Sequence, residues 1–355
     1  MSPSGKRARA ALRVAVAMTV VTVFALLPRL SAVAEPAHLD PAALPRGADP
    51  AVVYLVGDTI RDGDRMVPAT RRGEHQALWV VSGGYLVRDY YDRGLRNWAR
   101  LVYISRAGDR RVVARSSQGL ILVAVSASGR SVAVQLPSTP DGLRTVITVS
   151  RPRTGRVIAQ RELRLANLVA VTDHRALIGI RSGWHHPVTV WWNYQHDHLT
   201  RLYDQGAVGA DVRHDRVIFE RSGAGEFCNR VAVLSRPART LWRSCRMYPH
   251  QWSPNGRPAI APYAYFDAAG TPRWWDIDGR TAKRWATIAG RLDFDAAWED
   301  DAHFLTLAQS DAGKAAIIRC DLTGVCERAS RVWDVPVPLE PSLYYAKPPV
   351  VLATP

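Results

Sequence analysis

Four cysteines are the residues whose type and spacing most clearly predict a covalent bond in this sequence. Cys228 and Cys245 stand at equal distances on either side of an Arg236-Pro237 turn, so an antiparallel hairpin would place them opposite each other. Such a cross-strand pair has Cβ atoms about 4.5 to 5.5 Å apart, so a small local adjustment brings it to disulfide geometry. Cys320 and Cys326 flank a second short turn in the same way. We therefore expect two local disulfides.

A zinc site is the alternative use of these cysteines. Zinc sites usually carry paired Cys-x2-Cys knuckles, whereas the two pairs here have spacings of seventeen and six residues. Export into an oxidising compartment, for which the N-terminus gives a separate indication, also favours disulfides over metal.

A second candidate for metal binding is His196-Asp197-His198, with His185 and His186 nearby in sequence. In a strand, histidines at i and i+2 share a face and could bind zinc or copper. The stretch nevertheless falls on a predicted turn, where polar residues are needed in any case. We expect an ordinary polar turn, no metal site and no cofactor.

No catalytic residues are predicted from linear motifs. The sequence contains no Gly-x-Ser-x-Gly elbow, and no serine has the context of a catalytic triad. The carboxylates Glu299, Asp300 and Asp301 are adjacent and fall in a predicted turn, where solvation is their simplest role. Acids collected from several separate elements would leave no linear motif, so an active site of that kind stays open.

Aromatic and histidine side chains recur in the predicted long loops. If they converge on one surface they could bind a sugar or a peptide, because Trp and Tyr are favoured interface anchors. The alternative is that they pack between neighbouring structural units, as large aromatic residues commonly do. The candidates are Tyr90, Tyr91, Trp184, His185, His186, Phe227, Tyr263, Tyr265 and Phe266.

The elements that would position these residues follow from a weak repeat of about 41 to 46 residues between positions 75 and 334. Each copy has an apolar run, a turn of two to four residues and a second apolar run, and a second hairpin follows. This period is typical of the four-stranded blades of a β-propeller. The last turn residues of the six copies are Gly84, Gly129, His174, Asp215, Gly256 and Ala302.

The fold class predicted from the repeat is all-β, a single β-propeller of four-stranded antiparallel blades. Both cysteine pairs fall in the second hairpin of their repeats, in register with this assignment. We count six complete repeats. Residues 54–60 and 65–68 form an extra strand pair that could complete a further blade, so seven blades are the alternative.

One repeat carries a recognisable motif. The segment Trp252-Ser-Pro-Asn-Gly256-Arg, and more weakly 125–134, resembles the Trp-Ser-Pro-Asp-Gly motif of TolB-type, WD-repeat-like bacterial β-propellers. The resemblance extends over about 260 residues. It implies the propeller fold and leaves function open, because propellers serve both binding and catalysis.

The N-terminus has the composition of an export signal. A basic stretch, 6–13, precedes fourteen mostly apolar residues, 14–27, and small residues at 32–34 precede Glu35. The apolar run is shorter than the about 20 residues of a spanning helix, which favours cleavage after Ala34 and a secreted or extracytoplasmic protein. An uncleaved helix tethering the protein to a membrane is the alternative.

Four regions follow from these assignments. They are a signal peptide at 1–34, a Pro-rich linker at 35–50, the β-propeller at 51–334 and a Pro-rich C-terminal tail at 335–355. We expect both Pro-rich segments to be loosely attached.

The chain is basic, with a formal net charge of +15 at pH 7. Five basic residues and no acidic residue lie in 1–34, so the remainder is still basic. Such a charge can attract an anionic wall polymer, a membrane surface or nucleic acid. The Arg and Lys residues are scattered through all repeats without the aromatic interleaving of a nucleic-acid module. The simplest interpretation is therefore a solvated Arg-rich surface, and we do not expect a nucleic-acid partner.

The function that these observations favour is non-enzymatic. We expect an exported, monomeric propeller that binds, or acts as a scaffold for, a protein or a cell-envelope polymer, with membrane contact only if the N-terminal segment is uncleaved. The alternative is a propeller hydrolase or lyase acting on a glycan, a lactone or an ester. That alternative predicts acidic or His side chains meeting at the central channel.

Overall fold

A computed structural model of the chain describes residues 39–69, 74–93, 96–181, 187–223, 226–262, 273–289, 291–335 and 350–354. Within these ranges only the backbone is described for 74–76, 91–93, 96–97, 221–223, 226–227, 262, 273–274 and 291–295. Every regular element in the described residues is a β-strand. None of their elements is a helix with the length and apolar character of a membrane span.

Six sheets follow one another along the chain, and we number them 2 to 7. Each is an antiparallel meander of four consecutive strands. Sheet 2 has β4 (Glu74–Val81), β5 (Gly84–Arg93), β6 (Arg96–Ser105) and β7 (Arg110–Ser116). Sheet 3 has β8 (Leu122–Val125), β9 (Val132–Pro137), β10 (Arg144–Ser150) and β11 (Val157–Arg164). Sheet 4 has β12 (Ala166–Val171), β13 (Arg175–Ile180), β14 (Val188–Asn193) and β15 (His198–Tyr203).

The second half of the chain repeats this plan. Sheet 5 has β16 (Ala207–Asp211), β17 (Arg216–Gly223), β18 (Glu226–Val233) and β19 (Arg236–Ser244). Sheet 6 has β20 (Gln251–Trp252), β21 (Pro258–Pro262), β22 (Arg273–Asp278) and β23 (Arg284–Ala289). Sheet 7 has β24 (Arg291–Trp298), β25 (His303–Gln309), β26 (Lys314–Asp321) and β27 (Cys326–Arg328), with β28 (Trp333–Asp334) also paired to β26.

Sheet 1 is assembled from both ends of the described chain. Its strands are β1 (Tyr54–Val56), β2 (Thr59–Asp62), β3 (Arg65–Pro68) and the C-terminal β29 (Val350–Thr354). Strand β29 pairs antiparallel with β1, where Leu55 lies opposite Val351, and parallel with β4, where Ala353 lies opposite Leu78. This double pairing joins sheets 1 and 2 and covers edges that would otherwise be open to aggregation.

The described strands thus form seven units of four strands, six built mainly from consecutive strands and one from distant segments, and β29 joins the first two units into one eight-stranded sheet. The all-β propeller architecture expected from the repeat is confirmed. The expected C-terminal tail, 335–355, instead contains a core strand, since Val350, Val351 and Leu352 are each no more than 2% exposed. A strand of five residues is recognised only through its partners, and those partners lie almost three hundred residues away.

The segment after the predicted signal is also docked, from residue 39 onward. Leu39 and Leu44 pack on the apolar cluster of sheet 7. Gly47 N donates to Arg328 O at 2.9 Å, and Arg328 N donates to Pro45 O at 2.8 Å. These bonds satisfy the free edge of the short strand β27, so this part of the expected loose linker is attached to the propeller.

Successive sheets touch through the turns between their first and second strands, which we call the first turns. The turns between the third and fourth strands lie at the same end of the sheets as the first turns. We call this end the turn face. Hydrogen bonds between neighbouring first turns hold adjacent sheets in register. They are Ser82 N to Gly129 O at 2.9 Å, Ser128 Oγ to Asp173 Oδ2 at 2.8 Å, His214 Nε2 to Pro254 O at 2.9 Å and Asn255 N to Asp301 Oδ1 at 2.7 Å.

The apolar core lies between neighbouring sheets. Its largest fully buried side chains come from the second and third strands, where both faces of the sheet are covered. They include Tyr85, Trp192, Phe219 and Phe304. Closing the ring therefore buries every blade against two neighbours.

Both expected disulfides are present. Cys228 and Cys245 extend the register in which Asn229 lies opposite Ser244, and Cys320 lies directly opposite Cys326. The prediction from hairpin symmetry is thereby confirmed.

Removing the two disulfides is expected to have unequal effects. Loop-closure entropy gives about 3 kcal/mol for Cys228→Ser with Cys245→Ser, and about 2 kcal/mol for Cys320→Ser with Cys326→Ser. The shorter loop is also organised by Asp321 Oδ1, which accepts hydrogen bonds from Thr323 N at 2.8 Å and Val325 N at 3.0 Å. Urea unfolding of the two double variants measures the difference. A larger loss at 320–326 would contradict the ranking.

Candidate functional site

The turn face carries a cavity of about 570 Å³ where the turns of sheets 2, 3 and 4 meet. Its lining is dominated by cationic side chains from a single sheet, sheet 3. The lining residues are Ser82, Arg130, Arg151, Pro152, Arg153, Thr154, Arg156, Asp173 and His174. A volume of this size lies within the range of about 300 to 1,000 Å³ that small-molecule sites usually have.

The turn between β10 and β11 brings three of the arginines together. It is closed at its base by Arg151 N donating to Arg156 O at 2.9 Å, and by Gly155 N donating to Arg151 O at 2.8 Å. Gly155 has φ +73°, and a Cβ there would overlap the Arg111 guanidinium. Glycine is thus favoured by the left-handed backbone conformation, and it leaves room for the Arg111 side chain of sheet 2.

The Arg111 side chain supports this turn from the neighbouring sheet. Its guanidinium lies over the Tyr103 ring, 5.4 Å from the centroid, and donates to Pro152 O. Burial is the largest influence on the pKa of Tyr103 and raises it despite the nearby positive charges of Arg153 and Arg111. The Tyr103 hydroxyl therefore stays neutral and does not offset the charge of the cavity.

Most of the cavity's positive charge is uncompensated. Arg130, Arg153 and Arg156 are exposed, and their guanidinium groups have no acceptor within the part of the chain that the structure describes. Arg151 is half-buried and donates to Ser131 Oγ at 2.9 Å, which fixes its orientation toward the cavity wall. Four guanidinium groups therefore share the lining with a single carboxylate.

That carboxylate, Asp173, is already occupied by the turns it joins. It accepts hydrogen bonds from Ser126 Oγ and Ser128 Oγ, both at 2.8 Å. Burial is the largest influence on its pKa and acts to raise it, but the serine hydrogen bonds and the nearby Arg151 charge outweigh burial and lower it. Asp173 is ionised at neutral pH and fastens sheet 3 to sheet 4.

The chemistry that this arrangement supports is anion binding. Guanidinium groups match phosphate and carboxylate oxygens in a bidentate fork and stay charged at every physiological pH. The serines here donate directly to Asp173, and a carboxylate with a lowered pKa is a weak general base. This cluster therefore positions turns and does not form an activated nucleophile.

The described members of the sequence-predicted aromatic surface do not line this cavity. Tyr90 and Tyr91 are in β5 and Phe227 is in β18, so all three belong to strands and not to loops. Tyr90 packs half-buried on the cluster that contains Trp79 and Leu101, as the packing alternative expects. The others, Trp184, His185, His186, Tyr263, Tyr265 and Phe266, lie outside the described residues.

The sequence 196–198 falls at the turn between β14 and β15, as expected, with His198 as the first residue of β15. Asp197 has φ +47° and accepts a hydrogen bond from Trp192 Nε1 at 2.9 Å. That bond, followed by one from Arg161, lowers the pKa of Asp197. In the described part of the chain no three His, Cys, Asp or Glu side chains are grouped to hold a metal ion.

The inner strands are mainly apolar where their side chains are described. Strand β8 reads Leu-Val-Ala-Val, and β29 reads Val-Val-Leu-Ala-Thr. Asp211, at the end of β16, pairs with His214 at 2.6 Å. The side chains of 74–76 and 291–295, at the starts of β4 and β24, are outside the described set. The described part of the channel therefore offers no converging acids.

The arginine cavity was not anticipated from the sequence. Its four arginines are spread over 27 positions and form no block of charge. The available signal was their position in the repeat, because Arg130 follows the first turn and 151–156 is the second turn of the same sheet. Counting charge by repeat position would have found the cluster.

Comparison with known proteins bears on the fold alone. No protein-family model matches the chain. No curated protein matches it in sequence. Solved structures do match it, and the similarity covers about three quarters of the chain.

The β-propeller domain of the Trilobed protease from Pyrococcus furiosus matches with a TM-score of 0.51 and 9% identity, over 73% of this chain and 85% of that one. The acylaminoacyl peptidase of Pyrococcus horikoshii matches with a TM-score of 0.50 and 10% identity, over 74% of this chain and 46% of that one. TolB from Acinetobacter baumannii matches with a TM-score of 0.44 and 10% identity, over 74% and 67%. The likeness expected from Trp252–Arg257 is therefore confirmed as a β-propeller fold.

Proposed function

We propose that this β-propeller is an exported, non-enzymatic binding protein that holds an anionic group of a protein or cell-envelope polymer in its arginine-lined cavity. The observation that carries the proposal is the grouping of four arginines around one cavity whose only carboxylate is committed to two serines. Such a cavity has a net positive charge that an anionic ligand would neutralise.

The two disulfides support an extracytoplasmic location, because disulfides persist in oxidising compartments. With the basic and apolar N-terminal sequence they favour an export signal cleaved after Ala34, and we propose a monomer. N-terminal sequencing of the exported protein tests this part. A first residue near Glu35 is expected, and a chain that retains 1–34 in the membrane fraction would favour the tethered alternative.

The anion site is tested by titration calorimetry of the mature, oxidised protein with inorganic pyrophosphate at low salt. The double variant Arg153→Gln with Arg156→Gln should bind about 30-fold more weakly, because two charge-assisted contacts are lost. The matched control is Arg164→Gln with Arg239→Gln. It removes the same charge from exposed positions on the outer strands β11 and β19.

Equal weakening in both double variants would mean that pyrophosphate senses only net charge, and would contradict a site at the cavity. Turnover of an ester, lactone or glycan by the purified protein, abolished by a substitution of a channel acid, would replace the binding proposal with the hydrolase or lyase alternative.

A further inference from the structure

The arginine cavity opens onto a longer row of cations on the turn face. The first turns of sheets 3, 4, 5 and 6 each carry one exposed arginine in or directly after the turn. These residues are Arg130, Arg175, Arg213 and Arg257. We call them the cation arc, and Arg130 belongs to both the arc and the cavity.

The members of the arc stand on neighbouring sheets that are in contact. Ser128 of sheet 3 donates to Asp173 of sheet 4 at 2.8 Å. Val212, in the first turn of sheet 5, packs in the same apolar cluster as Val169 of sheet 4. His214 of sheet 5 bonds to the Pro254 carbonyl of sheet 6. The arc is therefore continuous, and the closed ring holds its charges at fixed positions.

The arc charges are available to a ligand. Arg130 and Arg213 have no acceptor among the residues that the structure describes. Arg175 stacks on Trp191 at 4.0 Å, which orients its guanidinium while leaving the residue exposed. Arg257 is 3.7 Å from Asp278, and its side chain is 70% exposed, so this ion pair is weak.

The arc has a defined end. The first turn of sheet 7 carries the exposed Asp300 and Asp301 in place of an arginine. Asp301 accepts a hydrogen bond from Asn255 N, so this acidic turn directly adjoins the turn that carries Arg257. The turns of sheets 4 and 5 also carry Asp173 and Asp215, but these carboxylates accept hydrogen bonds from Ser128 and Ser235. An anionic chain would therefore be attracted by the exposed arginines of sheets 3 to 6 and repelled at sheet 7.

The chemistry of the arc distinguishes between polyanions. The first turns of sheets 3 to 6 contain no Trp, Tyr or Phe on which a base could stack: they read Ser-Ala-Ser-Gly-Arg, Thr-Asp-His, Val-Arg-His-Asp and Ser-Pro-Asn-Gly-Arg. Their two imidazoles are already engaged, His174 with Gln195 and His214 with Asp211 and the Pro254 carbonyl. Binding of single-stranded nucleic acid normally combines a basic groove with such stacking platforms. The arc offers charge alone, at intervals set by the blades.

We infer that the ligand is a linear, base-free polyanion of the phosphodiester or polyphosphate class. One anionic group occupies the arginine cavity, and the following groups extend along the cation arc. The inference rests on the proposed function and adds to it the length and direction of the bound segment.

The test compares pyrophosphate with linear polyphosphates of increasing length on the mature, oxidised protein. Affinity per chain should rise about tenfold or more with length until the arc is covered, and then level off. The variant Arg213→Ser with Arg257→Ser should bind long polyphosphate about three- to tenfold more weakly while pyrophosphate binding stays within about twofold. The polyphosphate affinity of this variant should also depend less steeply on salt concentration.

Four results would overturn the inference. Tight pyrophosphate binding with no gain from longer chains would refute the arc and leave the proposed function standing. If the outer-strand control, Arg164→Gln with Arg239→Gln, weakens polyphosphate binding equally, the arc contributes only to the overall positive charge. Equal affinity for oligothymidylate of the same charge would refute a base-free ligand. Failure to bind pyrophosphate or polyphosphate at all would refute the proposed function itself.

Discussion

Asp276→Asn is expected to stabilise the protein at pH 8 by up to about 4 kcal/mol and to remove most of the pH dependence of stability between pH 5 and pH 8. Asp276 lies in β22 opposite Ile260 and Ala286, and it is fully buried. Neither carboxyl oxygen has a hydrogen-bond partner among the described residues. Burial, followed by the nearby Asp321 charge, raises the pKa of Asp276 to about 8.

The sign of the effect follows from the proton count. In the folded protein Asp276 stays protonated up to about pH 8, whereas in the unfolded chain it loses its proton near pH 4. Unfolding between these pH values releases a proton, so the free energy of unfolding falls as pH rises, by about 1.4 kcal/mol per unit. The contribution of Asp276 to folding stability is therefore complete below the pKa of the unfolded chain and is lost as pH rises through the pKa of the folded protein.

Carboxylates with lowered pKa act in the opposite sense. In Asp278 burial is the largest influence and raises the pKa, but hydrogen bonds from Arg280 N and Thr281 N outweigh it and lower the pKa. Groups of this kind lose their stabilising effect as pH falls below about 4. The maximum stability of the protein is therefore expected near pH 5.

Urea unfolding at pH 5 and pH 8 measures the effect, with Asp278→Asn in the same hairpin as the control. The Asp276 variant should exceed the natural protein by no more than about 2 kcal/mol at pH 5 and by clearly more at pH 8. Asp278→Asn should instead destabilise at pH 8. A flat profile for the natural protein between pH 5 and pH 8 would show that Asp276 has found a partner or a water that keeps it ionised.

Arg319→Met is expected to destabilise the protein by about 3 to 5 kcal/mol, the usual effect of removing one partner from a buried ion pair. Arg319 Nη2 donates to Glu299 Oε1 at 2.9 Å, and Nη1 donates to Glu327 Oε1 at 2.5 Å. The side chains of Arg319 and Glu299 are only 12% and 9% exposed. Without the guanidinium, Glu299 would remain as an uncompensated buried charge.

The ion pair of Arg319 and Glu299 also binds the segment 48–51, close to the N-terminal end of the described chain. Arg319 donates to the carbonyls of Ala48 and Asp49, and Ala51 N donates to Glu299 Oε1 at 2.6 Å. Burial is the largest influence on the pKa of Glu299 and raises it, but the hydrogen bonds from Arg319 and Ala51 N lower it overall. Limited proteolysis should therefore cut 46–51 faster in the Arg319 variant.

Two further variants separate lost charge pairing from general damage. Adding Glu299→Gln to Arg319→Met should recover part of the loss, because the buried charge is removed as well. Arg144→Met breaks an exposed pair with Glu162 at 3.5 Å and should cost less than about 1 kcal/mol. A similar small loss for Arg319→Met would mean that water reaches and solvates Glu299.

The features predictable from the sequence are those with local causes. The facing cysteines and the blade period both follow from hairpins, in which partners are separated by at most 21 residues. The turn at 253–256 was recognisable because Pro, Asn and Gly supply its conformation, and Gly256 indeed has φ +72°. These local rules established the propeller fold from the sequence.

The features that were missed depend on long-range contacts. Strand β29 is short, and its pairing with β1 and β4 arises only when the ring closes. Leu39 and Leu44 stand in a Pro-rich stretch. They are positioned by the edge of β27 and by the apolar cluster of sheet 7. The arginine cavity arises from turns of three sheets, so neither charge density nor a linear motif marks it.

The double pairing of β29 also sets the order of events during biosynthesis. Strands β1 to β3 emerge from the ribosome early, but sheet 1 lacks its innermost member until Val350–Thr354 has been synthesised. A nascent chain can form the intervening hairpins one by one, yet its ring must stay open at a single seam. Closure of the ring is therefore a late step of folding, which waits for a segment almost three hundred residues from its partner β1.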